Sequence, residues 1–158
     1  MKISSFINLL KNSEDFGNLI AHHHIIPQRK AAHCGNEYFL AKEVNDALKH
    51  LGINQLYSHQ YESIKAAREG KNIILSTPTS SGKTLAYNIP VFESVLSDDM
   101  TRAFYIFPLK ALGQDQLKTL IDFSSKLPGK DINAEIYDGD TPSHVRKKIA
   151  NNNPHIII

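Results

Sequence analysis

The chain has 158 residues, 41% of them hydrophobic and 22% charged, with seven prolines and a formal charge of +2. That is enough apolar content for one compact domain and too ordinary a balance for wholesale disorder, while a charge this small does not announce a nucleic-acid partner by its sum. Cys34 is the single cysteine, which excludes an intrachain disulfide and suits a reducing cytosol. No apolar run reaches the ~18 residues a membrane span requires.

The first stretch, MKISSFINLLKNSEDFGN, has a short apolar patch but meets Glu14 and Asp15 at once and lacks a small-residue cleavage site. It does not read as a secretory signal, and the expectation is a soluble cytoplasmic protein. Ile3, Phe6, Ile7 and Leu10 share one helical face, so a short amphipathic helix is predicted, followed by an irregular arm through HHHIIPQRKAAHCGN. Residues 1–40 are accordingly read as a helical and irregular N-terminal arm.

From Ala41 the pattern sharpens. Val44, Leu48 and Leu51 step at helical spacing, with Gly52 where a helix stop belongs. A second helix is predicted over about 59–69, with Tyr61, Ile64 and Ala67 inward. The period then changes: NIILS at 72–76 reads as a buried parallel strand, and helical spacing returns from Lys83 through Leu85, Ile89, Phe92 and Leu96. AFYIF at 103–107 is a second buried strand, and a helix follows over 109–127 through Leu117, Leu120 and Phe123. A strand at 134–137, a helix at 143–150 and the start of a strand at 154–158 complete the series. Alternation of this kind implies an α/β fold with a mainly parallel sheet covered by helices on both faces. Because the sequence stops on Ile156–Ile158, within a strand pattern, it reads as a C-terminally truncated piece of a longer chain.

The strand at 72–76 runs into Thr77-Pro78-Thr79-Ser80-Ser81-Gly82-Lys83-Thr84 and then into a helix. This strand, loop and helix order is what a phosphate-binding loop requires. Backbone N–H groups and the helix N-terminus converge there on an anion, and Gly82 permits close approach. Lys83 would place an ammonium on the β- and γ-phosphates, and Thr84 would offer a hydroxyl to Mg²⁺. The first loop position, Thr77, is β-branched where Gly or Ala is usual.

Three further segments stand in register with this loop: Leu56-Tyr57-Ser58-His59-Gln60 before it, Pro108-Leu109-Lys110-Ala111 after the second strand, and Tyr137-Asp138-Gly139-Asp140-Thr141-Pro142 after the third. With these the chain resembles, over about residues 40–158, the superfamily 2 helicases of the DEAD/DEAH-box kind. Within that superfamily it is most similar to the mitomycin-repair group of DNA helicases and its fungal and archaeal relatives.

The resemblance implies that residues 41–158 are the first RecA-like ATP-binding domain, incomplete at its C-terminal end, of an ATP-dependent helicase or translocase working on single-stranded or tailed DNA. It implies ATP and Mg²⁺ as cofactors. Thr77, Pro78, Thr79, Ser80, Ser81, Gly82, Lys83 and Thr84 would then cradle the nucleotide, with Lys83 and Thr84 catalytic and Thr84 on the metal. Gln60 would read the adenine edge and Tyr57 would stack on the base, since the aromatic position upstream falls near Glu43. Pro108, Lys110 and Ala111 would grip one strand together with Gly139, Asp140 and Thr141. The family's acidic box and second RecA-like lobe would follow Ile158.

Several residues are set aside. His22, His23 and His24 are consecutive and lack ligand-spaced partners; His33 with Cys34 lacks a dyad partner; Arg146-Lys147-Lys148 reads as the solvated face of a helix. Two other functions stay open: a catalytically inactive nucleotide- or strand-binding module, and an unrelated P-loop kinase.

Overall fold

The computed structural model describes residues 2–27, 30–35 and 39–158. Two compact units are present, Met1–Ala31 and Ala32–Ile158.

The first unit holds α1 (Ile3–Lys11) and a 3-10 turn at Gly17–Leu19. The amphipathic helix is there, but it buries none of its residues: Ile3 is 79% and Phe6 45% exposed.

In the second unit, β1 (His33–Cys34) pairs antiparallel with β2 (Leu56–Tyr57), placing His33 opposite Tyr57. The segment expected to be irregular therefore contributes a strand. Between them lies α2 (Lys42–His50), which buries Val44, Ala47 and Leu48. Directly after β2 comes α3 (Ser58–Arg68), followed by α4 (Lys83–Ser97) after the loop. Arg68 clamps α3 to α4 through two bonds to Glu93, Nη2 to Oε1 at 2.7 Å and Nε to Oε2 at 3.0 Å. The same carboxylate accepts the N–H of Ala41 at 3.0 Å, so the entry to α2 is tied in as well.

The parallel sheet is built from β3 (Ala103–Phe104), β4 (Ala134–Glu135) and β5 (Ile156–Ile157), in the order β3-β5-β4. Ile156 faces Ala103 on one side and Ala134 on the other. The connections run through α5 (Lys110–Ser124) and α6 (Ser143–Asn152). Apolar side chains at helical spacing supply the core: Ile64 of α3, Ile89, Phe92 and Val95 of α4, and Leu120 and Phe123 of α5 join Ile156. Phe92 and Phe123 stack with centroids 4.3 Å apart, which fixes α4 against α5.

Two expectations need correction. Residues 72–76 form no strand, and Ile74 is 98% exposed. The second strand is shorter than its apolar run, with Phe104 75% and Ile106 92% exposed. The physical reason is coverage. An apolar strand run is buried only when strands flank it and helices cover both faces. Among the described residues nothing pairs with 72–76, and β3 bonds to β5 along one edge alone. Tyr105 packs edge-on against Tyr87 and donates to Asn88 Oδ1 at 2.8 Å, so its face is covered; the face of Phe104 and Ile106 is bare. Burial pushes the Tyr105 phenol up, which keeps it a hydrogen-bond donor.

Candidate nucleotide and strand site

The loop at 77–82 joins the extended 72–76 run to α4, and its geometry is set by two left-handed residues, Ser80 (φ 58) and Gly82 (φ 76). Gly82 caps α4, and a Cβ there would lie 2.5 Å from Gln60 Nε2, so this position admits only glycine without displacement. The Thr77 and Ser81 hydroxyls meet at 2.6 Å and close the loop on itself. Lys83 then folds back over it. Its ammonium donates to the carbonyls of Thr77 at 2.7 Å and Pro78 at 2.6 Å, and approaches Thr77 Oγ1 at 3.2 Å and Ser81 Oγ at 3.4 Å. Thr84 follows half-buried in the first turn of α4. Among the described residues, no backbone N–H from 79 to 82 donates to another protein group. The N–H groups of 79–82 thus stand without a protein partner beside the N-terminus of α4, with the Lys83 ammonium inside the loop; a donor set of this kind suits an anion.

Gln60 is 2% exposed and joins this loop to α3. Its Oε1 accepts the N–H of Tyr57 at 2.8 Å, reaching back over the helix start as glutamine does in a capping box. Its Nε2 donates to the Gly82 carbonyl at 2.7 Å. One amide N–H and one lone pair remain for a further partner. The neighbouring His59, not singled out in the sequence, donates from Nε2 to the Ser81 carbonyl at 3.0 Å. Two consecutive α3 side chains thus hold consecutive loop carbonyls; the only sequence signal for His59 was its place beside Gln60.

At the end of the parallel strands a second cluster forms. Pro108 and Lys110 line a cleft of about 250 Å³ with Tyr137 and Asp138. Helix α5 comes close to the sheet because Gly113 is bare, since a Cβ there would stand 3.2 Å from Ile158 Cγ2. Ala111 is exposed on the first turn. The turn at 138–141 is tightly wound: the Asp138 N–H donates to Thr141 Oγ1 at 2.9 Å, and Asp138 Oδ1 accepts from the Asp140 N–H at 2.9 Å. That bond is the main reason the Asp138 carboxyl sits below its ordinary range. Asp140 forms an ion pair with Lys110 Nζ, which pushes the Lys110 ammonium's pKa up. Gly139 lies alongside, where a Cβ would stand 3.9 Å from the same Nζ.

Arg146 departs from the solvated-face reading. It donates from Nε to the Thr141 carbonyl at 2.8 Å and from Nη2 to the Asp138 carbonyl at 2.9 Å, and it lies 4.9 Å over the Tyr137 ring. The residue clamps the turn that carries Asp140. Among the described residues no group of three or more His, Cys, Asp or Glu side chains could hold a metal ion, and no helix is long and apolar enough to cross a membrane.

Comparisons with known proteins place the chain in a family. A family model described as DEAD/DEAH box helicase matches residues 57–158. The uncharacterized ATP-dependent helicase YprA of Bacillus subtilis is 38% identical over 158 residues, covering 100% of this chain and 21% of the relative. ATP-dependent helicase HRQ1 of Saccharomyces cerevisiae is 38% identical over 151 residues, 95% of this chain and 14% of its own length. A crystal structure of the DUF1998 helicase MrfA bound to DNA and AMPPNP superposes with a TM-score of 0.87 at 37% identity, covering 100% of this chain and 21% of that one. The chain thus spans about a fifth or less of the relatives it matches. On the family match and on these relatives, the chain belongs to the DEAD/DEAH box helicases.

Proposed function

We propose that the protein is an ATP-driven DNA helicase or translocase, in which this chain supplies the phosphate-binding loop and part of the grip on one strand. The observation that carries the reading is the loop at 77–82, with its unpaired N–H groups and the Lys83 ammonium resting on the Thr77 and Pro78 carbonyls. An ammonium held by neutral carbonyls is released at little cost to an anion, because a charge-assisted bond to phosphate replaces two neutral acceptors. Lys83 would therefore move from the loop onto the β- and γ-phosphates. Thr84 would hold Mg²⁺, which when bound neutralises charge on the phosphates.

Gln60 would turn its remaining amide N–H and lone pair to adenine, with Tyr57 beside the base. Its bond to Gly82 makes loop position and base occupancy one linked event. On the strand side, Lys110, Pro108 and Ala111 would meet a DNA backbone together with Gly139 and Thr141, while Asp140 holds the Lys110 ammonium until a phosphate replaces it; single-stranded or tailed DNA is the substrate this reading selects. DNA is favoured by the relatives, among which MrfA is described as bound to DNA. A cytoplasmic location belongs to the same reading and rests on the helicase family and the single cysteine.

The test is strand displacement by the full-length protein on a tailed DNA duplex with ATP. Unwinding that requires ATP and is lost in Lys83→Ala supports the reading. Unwinding that persists in the variant contradicts it.

A further inference from the structure

A cavity of about 580 Å³ opens between the β1–β2 strand pair and the phosphate loop, within the ~300–1,000 Å³ common for small-molecule sites. Its walls include His33 and Tyr57 on one side, Gln60 in the middle, and Ser80 and Gly82 of the loop on the other. The loop end is where a triphosphate would lie, so the β1–β2 end is where its base would fall.

Among the described residues, the rings available at that end are few. Among the described residues just before α2, Phe39 is committed elsewhere: it packs against Tyr61 at 4.0 Å and under the Arg68 guanidinium at 4.4 Å. Glu43 is exposed in the first turn of α2 and has no ring. Tyr57 is flanked by two imidazoles, His33 at 4.7 Å and His59 at 5.6 Å between centroids, both in stacked orientation. Of the two, His59 is tied by its Nε2 to Ser81, whereas His33 lines the cavity and is exposed. The pairing of β1 with β2 places it there: His33 is the register partner of Tyr57, and the Ser58 N–H donates to the Ala32 carbonyl at 2.9 Å to hold β1 against the start of α3.

We propose that His33 is a base-stacking residue of the nucleotide site, and that the His33–Tyr57 pair forms a purine-selective wall at the mouth of this cavity. The proposal rests on the reading of 77–84 as a phosphate-binding loop and adds to it a determinant of base preference. A flat imidazole backed by a phenol ring offers a stacking surface to any base, and the larger purine covers more of it. Because His33 lies on a strand that precedes α2, base occupancy also depends on the pairing of β1 with β2.

The experiment is a set of equilibrium titrations on the full-length protein with ATP, CTP and inorganic tripolyphosphate, for the unaltered chain, His33→Ala, His33→Phe and Lys83→Ala. His33→Ala is expected to weaken ATP about three- to tenfold, the size of one aromatic stacking contact. It should leave tripolyphosphate unchanged and shrink the preference for ATP over CTP, with His33→Phe restoring both values. Unchanged ATP affinity in His33→Ala overturns the proposal. So does an equal loss for ATP and tripolyphosphate, which would make the β1–β2 pair a structural support alone. If tripolyphosphate binding is indifferent to Lys83→Ala, the phosphate-loop reading fails first and the wall falls with it.

Discussion

Gln60 and Gly82 are joined by a 2.7 Å hydrogen bond from the side-chain amide to the loop carbonyl, at a point where even a methyl group on Gly82 would strike Nε2. The buried amide therefore acts as a rivet between α3 and the phosphate loop. Gln60→Ala leaves both the Gly82 carbonyl and the Tyr57 N–H without their partner and should cost about 1–3 kcal/mol of stability. Gly82→Ala adds the left-handed penalty, about 1–2 kcal/mol, to the displacement of Gln60. Chemical denaturation of each variant checks the pair. A Gly82→Ala protein as stable as the parent would show that the loop relaxes freely.

Lys110 and Asp140 set up opposing effects on strand binding. The ammonium is held by a carboxylate of the 138–141 turn, so a DNA phosphate must compete with Asp140 for it. Asp140→Asn should raise affinity for a single-stranded oligonucleotide, and Lys110→Ala should lower it and flatten the salt dependence by about one counterion. Fluorescence anisotropy over a salt series measures both. Parallel losses in the two variants would mean that Asp140 is itself needed for contact.

The clamp by Arg146 predicts a milder, geometric effect. Arg146→Lys keeps the charge but cannot reach the Asp138 and Thr141 carbonyls with the same fork. Affinity for the oligonucleotide should fall while the salt slope stays as in the parent. A changed slope would make Arg146 a phosphate contact instead.

At the opposite side of the sheet, Asp99 accepts from Lys130 at 3.2 Å and from His155 Nε2 at 3.2 Å. The Lys130 hydrogen bond is the main cause that holds the Asp99 carboxyl below its ordinary value. With the folded pKa depressed, the stabilisation is present above the unfolded value of roughly 3.9 and disappears as pH falls through the folded one. Asp99→Asn should lower the denaturation midpoint at pH 5–7, with the gap to the parent closing below about pH 4. A gap that persists at low pH would assign the effect to packing.

The helices were legible because their apolar spacing is long and regular: α3, α4 and α5 begin within a residue of their predicted starts, and Ile64, Phe92, Leu120 and Phe123 are buried as the pattern requires. The β1 strand was not, since two residues, His33 and Cys34, carry no period and their partner β2 lies beyond a whole helix. The apolar run at 72–76 looks the same whether or not a neighbour pairs with it, so its exposure was invisible to periodicity. The loop at 77–84 and the segments around Gln60 and Lys110 stood out by residue type. What each side chain bonds did not, because the Gln60–Gly82 and Lys110–Asp140 contacts depend on three-dimensional closure.

The central claim is that Lys83 is a phosphate ligand, and titration of the full-length protein with a fluorescent ATP analogue tests it most directly. Lys83→Ala should weaken binding about 10- to 100-fold, the weight of one charge-assisted contact of roughly 1.5–3 kcal/mol. Affinity unchanged by the substitution, in a variant as stable as the parent, would contradict the account.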